Sequence, residues 1–265
     1  MNSEFTPSWR AGSGPPLVLL HGFTDTWRGW DLILPELEKH HDVFAPTLPG
    51  HAGGPPLRTP VVQEEVLDQI EAMLDEAGIG TAHIAGNSLG GYLALRLAAR
   101  GRARSVVALA PAGGWAAGDD SFRDTLGFFV TMKAQLEGAA AHIDAMVATP
   151  EGRRLATQFT TNNYEHIPAE LIAHQILGVI RCDGVAPLID AALEEGWSLD
   201  AEKVTCPVRM VWGTGDRVLS WPDTATRYRE EWLPNAEWIE LDGVGHCPQL
   251  DVPAETAQLV LGMTS

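Results

Sequence analysis

The stretch Ala82-His-Ile-Ala-Gly-Asn-Ser-Leu-Gly-Gly91 joins a short apolar run to a leucine- and alanine-rich one through a single serine held between glycines. A strand that enters a helix through one sharp turn forces its middle residue into a strained backbone conformation, and glycines on either side remove the clashes. Gly86 and Gly90 therefore predict a strand, a tight turn at Ser88 and a helix starting at Leu89, with the serine side chain above the carboxyl edge of a sheet. The start of that helix aims free N–H groups and a positive dipole end at any negative charge that forms on a group attacked by Ser88.

The rest of the chain repeats this grammar. Pro16-Leu-Val-Leu-Leu-His-Gly22 is a continuous apolar run ended by glycine, as expected of a strand buried on both faces of a parallel sheet. Asp42 to Ala45, Ser105 to Ala110, Val208 to Trp212 and Glu237 to Leu241 are similar short runs. Helical spacing marks Val61 to Ala77, Leu89 to Arg100, Pro222 to Trp232 and Pro253 to Met263. Strand alternating with helix predicts an α/β fold with a mostly parallel, doubly wound sheet.

Between Trp115 and Trp197 the alternation stops and several helices follow one another. The reading is a core made of residues 1–114 and 198–265, interrupted by a helical cap over 115–197 that packs on it. Of the cap's Phe122, Phe128, Phe129, Met132, Met146, Phe159 and Tyr164, most are expected inside the cap and the remainder facing a pocket.

Charge narrows the partners. Acidic residues outnumber basic ones 35 to 18, a net charge of −17 that repels phosphate backbones and anionic lipid surfaces. A small-molecule substrate is expected, rather than nucleic acid or a membrane. The first ten residues have no basic patch leading into an apolar core, and no run approaches the roughly 20 apolar residues of a membrane span, so the expected location is cytoplasmic. Cys182, Cys206 and Cys247 are widely spaced and odd in number, which fits reduced thiols and no metal site.

Taken with its strand–turn–helix context, Gly86-Asn-Ser-Leu-Gly90 resembles the nucleophile elbow of the α/β-hydrolase superfamily, and the resemblance extends over nearly the whole chain. His21-Gly-Phe23 is similar to the family's oxyanion loop, which implies that Phe23 and Leu89 donate backbone N–H groups to a developing oxyanion. Trp212-Gly-Thr-Gly-Asp216 ends a late strand where the family carries its acid, and Gly243-Val-Gly-His246 follows the last strand where it carries its histidine. The chain order Ser88, Asp216, His246 is the family's order, implying a nucleophile, a base that takes its proton, and an acid that orients the base. Asp242, Asp251, Asp119 and Asp120 are the other carboxylates weighed for the acid. His21 and His51 read as structural and loop residues. Trp27, Trp115, Phe128 and Cys247 are candidates for the substrate pocket, with anchoring of the following segment as the alternative for Trp27 and simple packing for Cys247.

The resemblance implies a serine hydrolase acting on a small, largely apolar ester or related acyl compound, with no metal or organic cofactor. A serine at the elbow argues against the dehalogenase and epoxide hydrolase branches, whose nucleophile is an aspartate. The elbow is also similar to that of hydrolases cleaving carbon–carbon bonds of ring-fission products, and Leu20-His-Gly-Phe-Thr24 with Leu48-Pro-Gly-His51 resembles a lyase of the menaquinone pathway. The cap's 12 acidic against 5 basic residues disfavour the multiply anionic ligand of that lyase. A protein of this fold that binds a small ligand without turnover is the alternative of another class.

Overall fold

The computed structural model describes residues 4–264; Met1 to Ser3, where the stretch read for a leader begins, and Ser265 lie outside the described residues. Seven strands form one sheet: β1 Ser8–Gly12, β2 Pro16–Leu20, β3 Asp42–Pro46, β4 Ala82–Asn87, β5 Ala103–Leu109, β6 Val208–Gly213 and β7 Glu237–Leu241. Their order is β1-β3-β2-β4-β5-β6-β7, parallel throughout except for β1, which runs antiparallel on β3. The chain winds outward from β2 to β3 and returns to the other side of β2 as β4. Open α/β sheets place their ligands at such a reversal, beyond the carboxyl ends of the strands.

β2 explains why its run is apolar without interruption. Side chains alternate across a strand, so Val18 and Leu20 join one buried cluster while Leu17 and Leu19 join the cluster on the opposite face. Helices α2 Gln63–Glu76 and α3 Leu89–Ala99 cover the first face through Val66, Leu67, Ile70, Leu74, Leu93 and Leu97. The second is covered by Trp30 and Ile33, by the short α1 Leu34–Leu37, and by the C-terminal helix at 253–264 through Ala257 and Val260.

Five helices run consecutively between β5 and β6: α4 Phe122–Ala139, α5 Ile143–Val147, α6 Pro150–Thr157, α7 Ala169–Ile180 and α8 Val185–Glu195. Two apolar clusters join them to the sheet layer, one through Tyr92, Phe122, Leu126, Ile189 and Trp212, the other through Ile143, Leu171, Ile176, Cys247 and Leu250. Helices α9 Pro248–Asp251 and α10 Pro253–Thr264 close the chain. No helix among the described residues is long and apolar enough to cross a membrane.

Three elements depart from the sequence reading. β1 is absent from it because its outer position leaves it mostly exposed and without an apolar run; pairing with β3 and the Arg10–Asp42 side-chain bonds at 3.0 and 2.7 Å hold it in place. The helix expected from Pro222 to Trp232 is instead a 3-10 turn at Asp223–Ala225 and a π-helical turn at Tyr228–Trp232. Tyr228 is fully buried with its hydroxyl on Ala112 O at 2.6 Å, and the Leu233 N–H reaches back five residues to Tyr228 O. That tertiary anchor overrides the helical spacing. Finally, most of the aromatic and methionine side chains in the 115–197 segment do not form its interior. Phe122 does, whereas Phe128, Phe129, Met132, Met146 and Phe159 line a cavity.

Candidate active site

Ser88 stands between β4 and α3 with φ 55° and ψ −117°, a region that non-glycine residues enter only under constraint, at a cost of about 1–3 kcal/mol. The constraint is the close approach of three segments. A Cβ at Gly86 would fall 2.2 Å from Gly90 O, and one at Gly90 would fall 2.0 Å from Leu20 O and 2.5 Å from His21 O. All of these are backbone atoms, two at the carboxyl end of β2 and one in the first turn of α3. Gly90→Ala is therefore expected to destabilise the fold by about 3 kcal/mol, read in thermal denaturation as a melting temperature lower by roughly 6–12 °C. An unshifted melting curve would refute the tight-turn account.

The end of β2 supplies the facing wall. A Cβ at Gly22 would lie 3.4 Å from Ser88 Cβ, so the loop carrying Phe23 runs against the serine, while Leu89 opens α3 directly after it. Thr24 in the same loop has φ 68°, a second non-glycine residue in the left-handed region. His21 fixes this loop: its Nδ1 donates to Gly22 O at 2.8 Å and its Nε2 accepts the Leu48 N–H at 2.9 Å. Burial, the adjacent His51 and a bond to Gly22 act on its pKa, and the balance lies well below the usual histidine value, so the ring stays neutral. His51 is likewise buried and pushed down to about 4, chiefly by desolvation.

The loops after β6 and β7 bring Asp216 and His246 together. His246 Nδ1 lies 2.7 Å from Asp216 Oδ2, and because a carboxylate only accepts, Nδ1 carries a proton, which in the neutral ring places the lone pair on Nε2. The other carboxylate oxygen, Oδ1, accepts the N–H groups of Val218 and Leu219, each at 2.8 Å. Both side chains are buried, and His246 shares a cavity wall with Ser88. Of the other carboxylates weighed, Asp242 accepts from Thr214 Oγ1 at the surface, and Asp119 and Asp120 bond to Ser121 and Arg123 on an exposed turn. None of these is bonded to His246.

Two cavities meet at Ser88, Phe23, Phe129 and Val218. The first is lined almost wholly by apolar groups including Leu126, Ile189, Trp115 and Trp197. The second, the roomier of the two, mixes Phe128, Met132 and Met146 with Asp25, Gln135, Gln158, Gln175, His246 and Cys247. Among the residues lining either cavity there is no lysine or arginine. Trp115 lines the first cavity, and Phe128 and Cys247 line the second. Trp27 lines neither: its ring stacks on Trp9 at 5.3 Å and its Nε1 donates to Thr6 Oγ1, which anchors the N-terminal segment instead.

Cys247 is a packed thiol. Its Sγ donates to Asn87 Oδ1 at 3.4 Å, and burial, reinforced by Asp25, Asp216 and Asp251, pushes its pKa well above the usual thiol value. Two residues hold the site in shape: Asn87, without a role in the sequence reading, and Asp251, weighed there only as the acid. Asn87 Nδ2 donates to Leu109 O and His246 O, tying the elbow to the histidine loop. Asp251 accepts from Gly245 N, Asn162 N and Asn163 N, joining that loop to the segment after α6. The asparagine next to the serine was visible in the sequence, but the loop convergence that gives either residue its task was not. Among the described residues, no group of three or more His, Cys, Asp or Glu side chains is gathered so as to hold a metal ion.

Residues 17–259 match the sequence profile of the alpha/beta hydrolase family. Over 73% of its length the chain is 33% identical to 90% of the epoxide hydrolase EphH of Mycobacterium tuberculosis. Over 93% of its length it is 30% identical to 96% of a pimeloyl-acyl-carrier-protein methyl ester esterase of Aromatoleum aromaticum. Among solved structures it superposes on the enol-lactonase of Burkholderia xenovorans with a TM-score of 0.72, covering 97% of this chain and 95% of that one at 17% identity, a likeness of fold alone.

Proposed function

The chain belongs to the alpha/beta hydrolase family, and we propose that within it this protein is a serine hydrolase that cleaves a small, uncharged, largely apolar carboxylic ester or related acyl compound. The observation that carries the proposal is the 2.7 Å bond from His246 to Asp216 in a cavity whose wall also holds the strained Ser88.

With Nδ1–H given to Asp216, His246 Nε2 takes the hydroxyl proton of Ser88 as Oγ attacks the carbonyl carbon. The carbonyl oxygen gains negative charge, which the N–H groups of Phe23 and Leu89 receive. Collapse of the tetrahedral adduct expels the alcohol, protonated by His246, and leaves an acyl ester on Ser88. Water, deprotonated by the same imidazole, then releases the acid and restores the serine. The helices of 115–197 serve as the cap over this chemistry. Lining without lysine or arginine favours uncharged substrates over the carboxylate-bearing ring-fission products. Epoxide opening by Ser88 would leave an alkyl ether, which has no carbonyl for water to attack; acyl transfer has no such dead end.

Initial rates on p-nitrophenyl esters from acetyl to decanoyl test the reading. Each methylene buried in the first cavity contributes about 0.8 kcal/mol, so kcat/KM is expected to climb roughly fourfold per methylene until the chain outgrows the cavity. A folded sample that hydrolyses none of these esters and is not labelled by a fluorophosphonate would overturn the reading in favour of ligand binding.

A further inference from the structure

Asp25 is a carboxyl group that the hydrolytic steps above do not use. It lies in the loop after β2 and lines the second cavity together with Ser88, His246 and Gln175. Its own turn holds it: Oδ1 accepts the Thr26 N–H at 2.8 Å, and Oδ2 is pressed against Gly29, where a Cβ would come within 2.1 Å. From α7, Gln175 Nε2 reaches Oδ2 at 3.4 Å, the long end of a hydrogen bond. A carboxylate offers about four lone-pair sites; Thr26 and Gln175 take one each, which leaves acceptor capacity on a group that lines the cavity.

The surroundings of Asp25 do not neutralise it. Asp31, on the same turn, is already paired with Arg28 at 2.8 Å. Helix α7 contributes the neutral Gln175 and His174, whose Nε2 lies 3.0 Å from Thr26 Oγ1, and the loop after β7 contributes Cys247 and His246. Burial raises the Asp25 carboxyl to about 7, against the bonds from Thr26 and Gln175. An asparagine would accept the same Thr26 N–H without charge, so the turn itself does not require the acid.

We propose that Asp25 and Gln175 form a recognition site for an uncharged hydrogen-bond donor, a hydroxyl or amide N–H, on the part of the substrate that lies in the second cavity. A free carboxylate there meets a like charge and no cation. An ammonium brings three donors and a desolvation cost that one carboxyl does not offset. The inference rests on the ester-cleaving reading of Ser88, with the apolar acyl chain in the first cavity and the alcohol portion in the second.

The test compares three esters of one acid: 2-hydroxyethyl butyrate, 2-methoxyethyl butyrate and butyryloxyacetate. For wild type at pH 8, kcat/KM is expected to favour the hydroxyethyl over the methoxyethyl ester by roughly tenfold or more, because capping the donor leaves a buried acceptor unpaired. Butyryloxyacetate should be the poorest of the three. The hydroxyethyl-to-methoxyethyl ratio cancels His246 protonation, which both esters share. It is expected to rise from pH 6 to pH 8, as the carboxyl ionises and becomes a charged acceptor.

In Asp25→Asn the ratio should lose that rise and fall to or below the wild-type value at pH 6, and in Asp25→Leu it should collapse to about one. The asparagine variant also separates recognition from folding. A carboxyl whose folded pKa is raised gives stability present below its unfolded pKa and lost as pH rises toward about 7. Asp25→Asn should therefore melt no lower than wild type at pH 8. Equal wild-type rates on the hydroxyethyl and methoxyethyl esters, or a ratio and pH rise unchanged in Asp25→Asn, would overturn the proposal while p-nitrophenyl butyrate still turns over. If p-nitrophenyl butyrate is also inert, the ester-cleaving reading fails and this inference falls with it.

Discussion

Ser88→Ala is expected to fold as wild type does and to lose turnover by roughly a millionfold in kcat, the scale on which removal of a triad serine acts. The fold should survive because the substitution deletes one hydroxyl from a cavity wall and leaves the backbone to the same glycine-bounded turn. Alanine meets the same strain at φ 55° as serine does, so the melting temperature should move little. The chemistry should not survive. His246 Nε2 would have no hydroxyl proton to take, and any residual rate would come from polarisation by the N–H groups at the elbow acting on water. The measurement is the initial rate of p-nitrophenyl butyrate hydrolysis beside wild type, with circular dichroism on the same samples. Wild-type activity in a folded alanine variant would remove Ser88 from the mechanism. Loss of activity together with loss of the folded spectrum would mean that the turn, rather than the hydroxyl, had been tested.

What the sequence disclosed and what it withheld divide along a physical line. β2, β4, β5 and β6 were legible because a strand buried on both faces must be apolar at consecutive positions, a demand that leaves a local trace. Ser88 was legible because Gly86 and Gly90 are required by contacts formed within one strand–turn–helix unit and its neighbouring strand. β1 left no such trace, since pairing with β3 holds it in place while its side chains meet solvent.

The site follows the same rule. Asp216 and His246 could be picked out by their places after late strands, yet their 2.7 Å contact depends on how two separate loops converge. Asp25 and Asp251 gain their surroundings from segments distant in the chain, α7 for the first and the stretch after α6 for the second. Nothing local distinguishes Asp25 from a surface aspartate, and Asp251 stood out only by its nearness to His246 in the chain. Trp27, for which the sequence left a pocket wall and anchoring both open, likewise takes its surroundings from another segment, its ring stacking on Trp9.

For Asp216→Asn the expected loss is about 10⁴ in kcat with the fold intact, and the direction follows from how the carboxylate is held. Oδ1 faces two backbone donors, Val218 N–H and Leu219 N–H, each at 2.8 Å. In the variant the amide oxygen must occupy that position, because an NH2 group there would set donors against donors. The amide nitrogen is then the atom that faces His246 Nδ1. A donor opposite Nδ1 favours the tautomer with its lone pair at Nδ1 and its proton at Nε2, which leaves Nε2 unable to accept from Ser88. The imidazole is therefore held in the wrong form without being displaced, and the imidazolium that forms in the transition state loses its counter-charge as well. Asp242→Asn is the control, since Asp242 accepts a hydrogen bond from Thr214 Oγ1 and lies exposed; its kcat should stay within about twofold of wild type. The assignment of the acid fails if Asp216→Asn turns over p-nitrophenyl butyrate at the wild-type rate. Labelling by a fluorophosphonate should slow in parallel with kcat, because it needs the same proton transfer from Ser88.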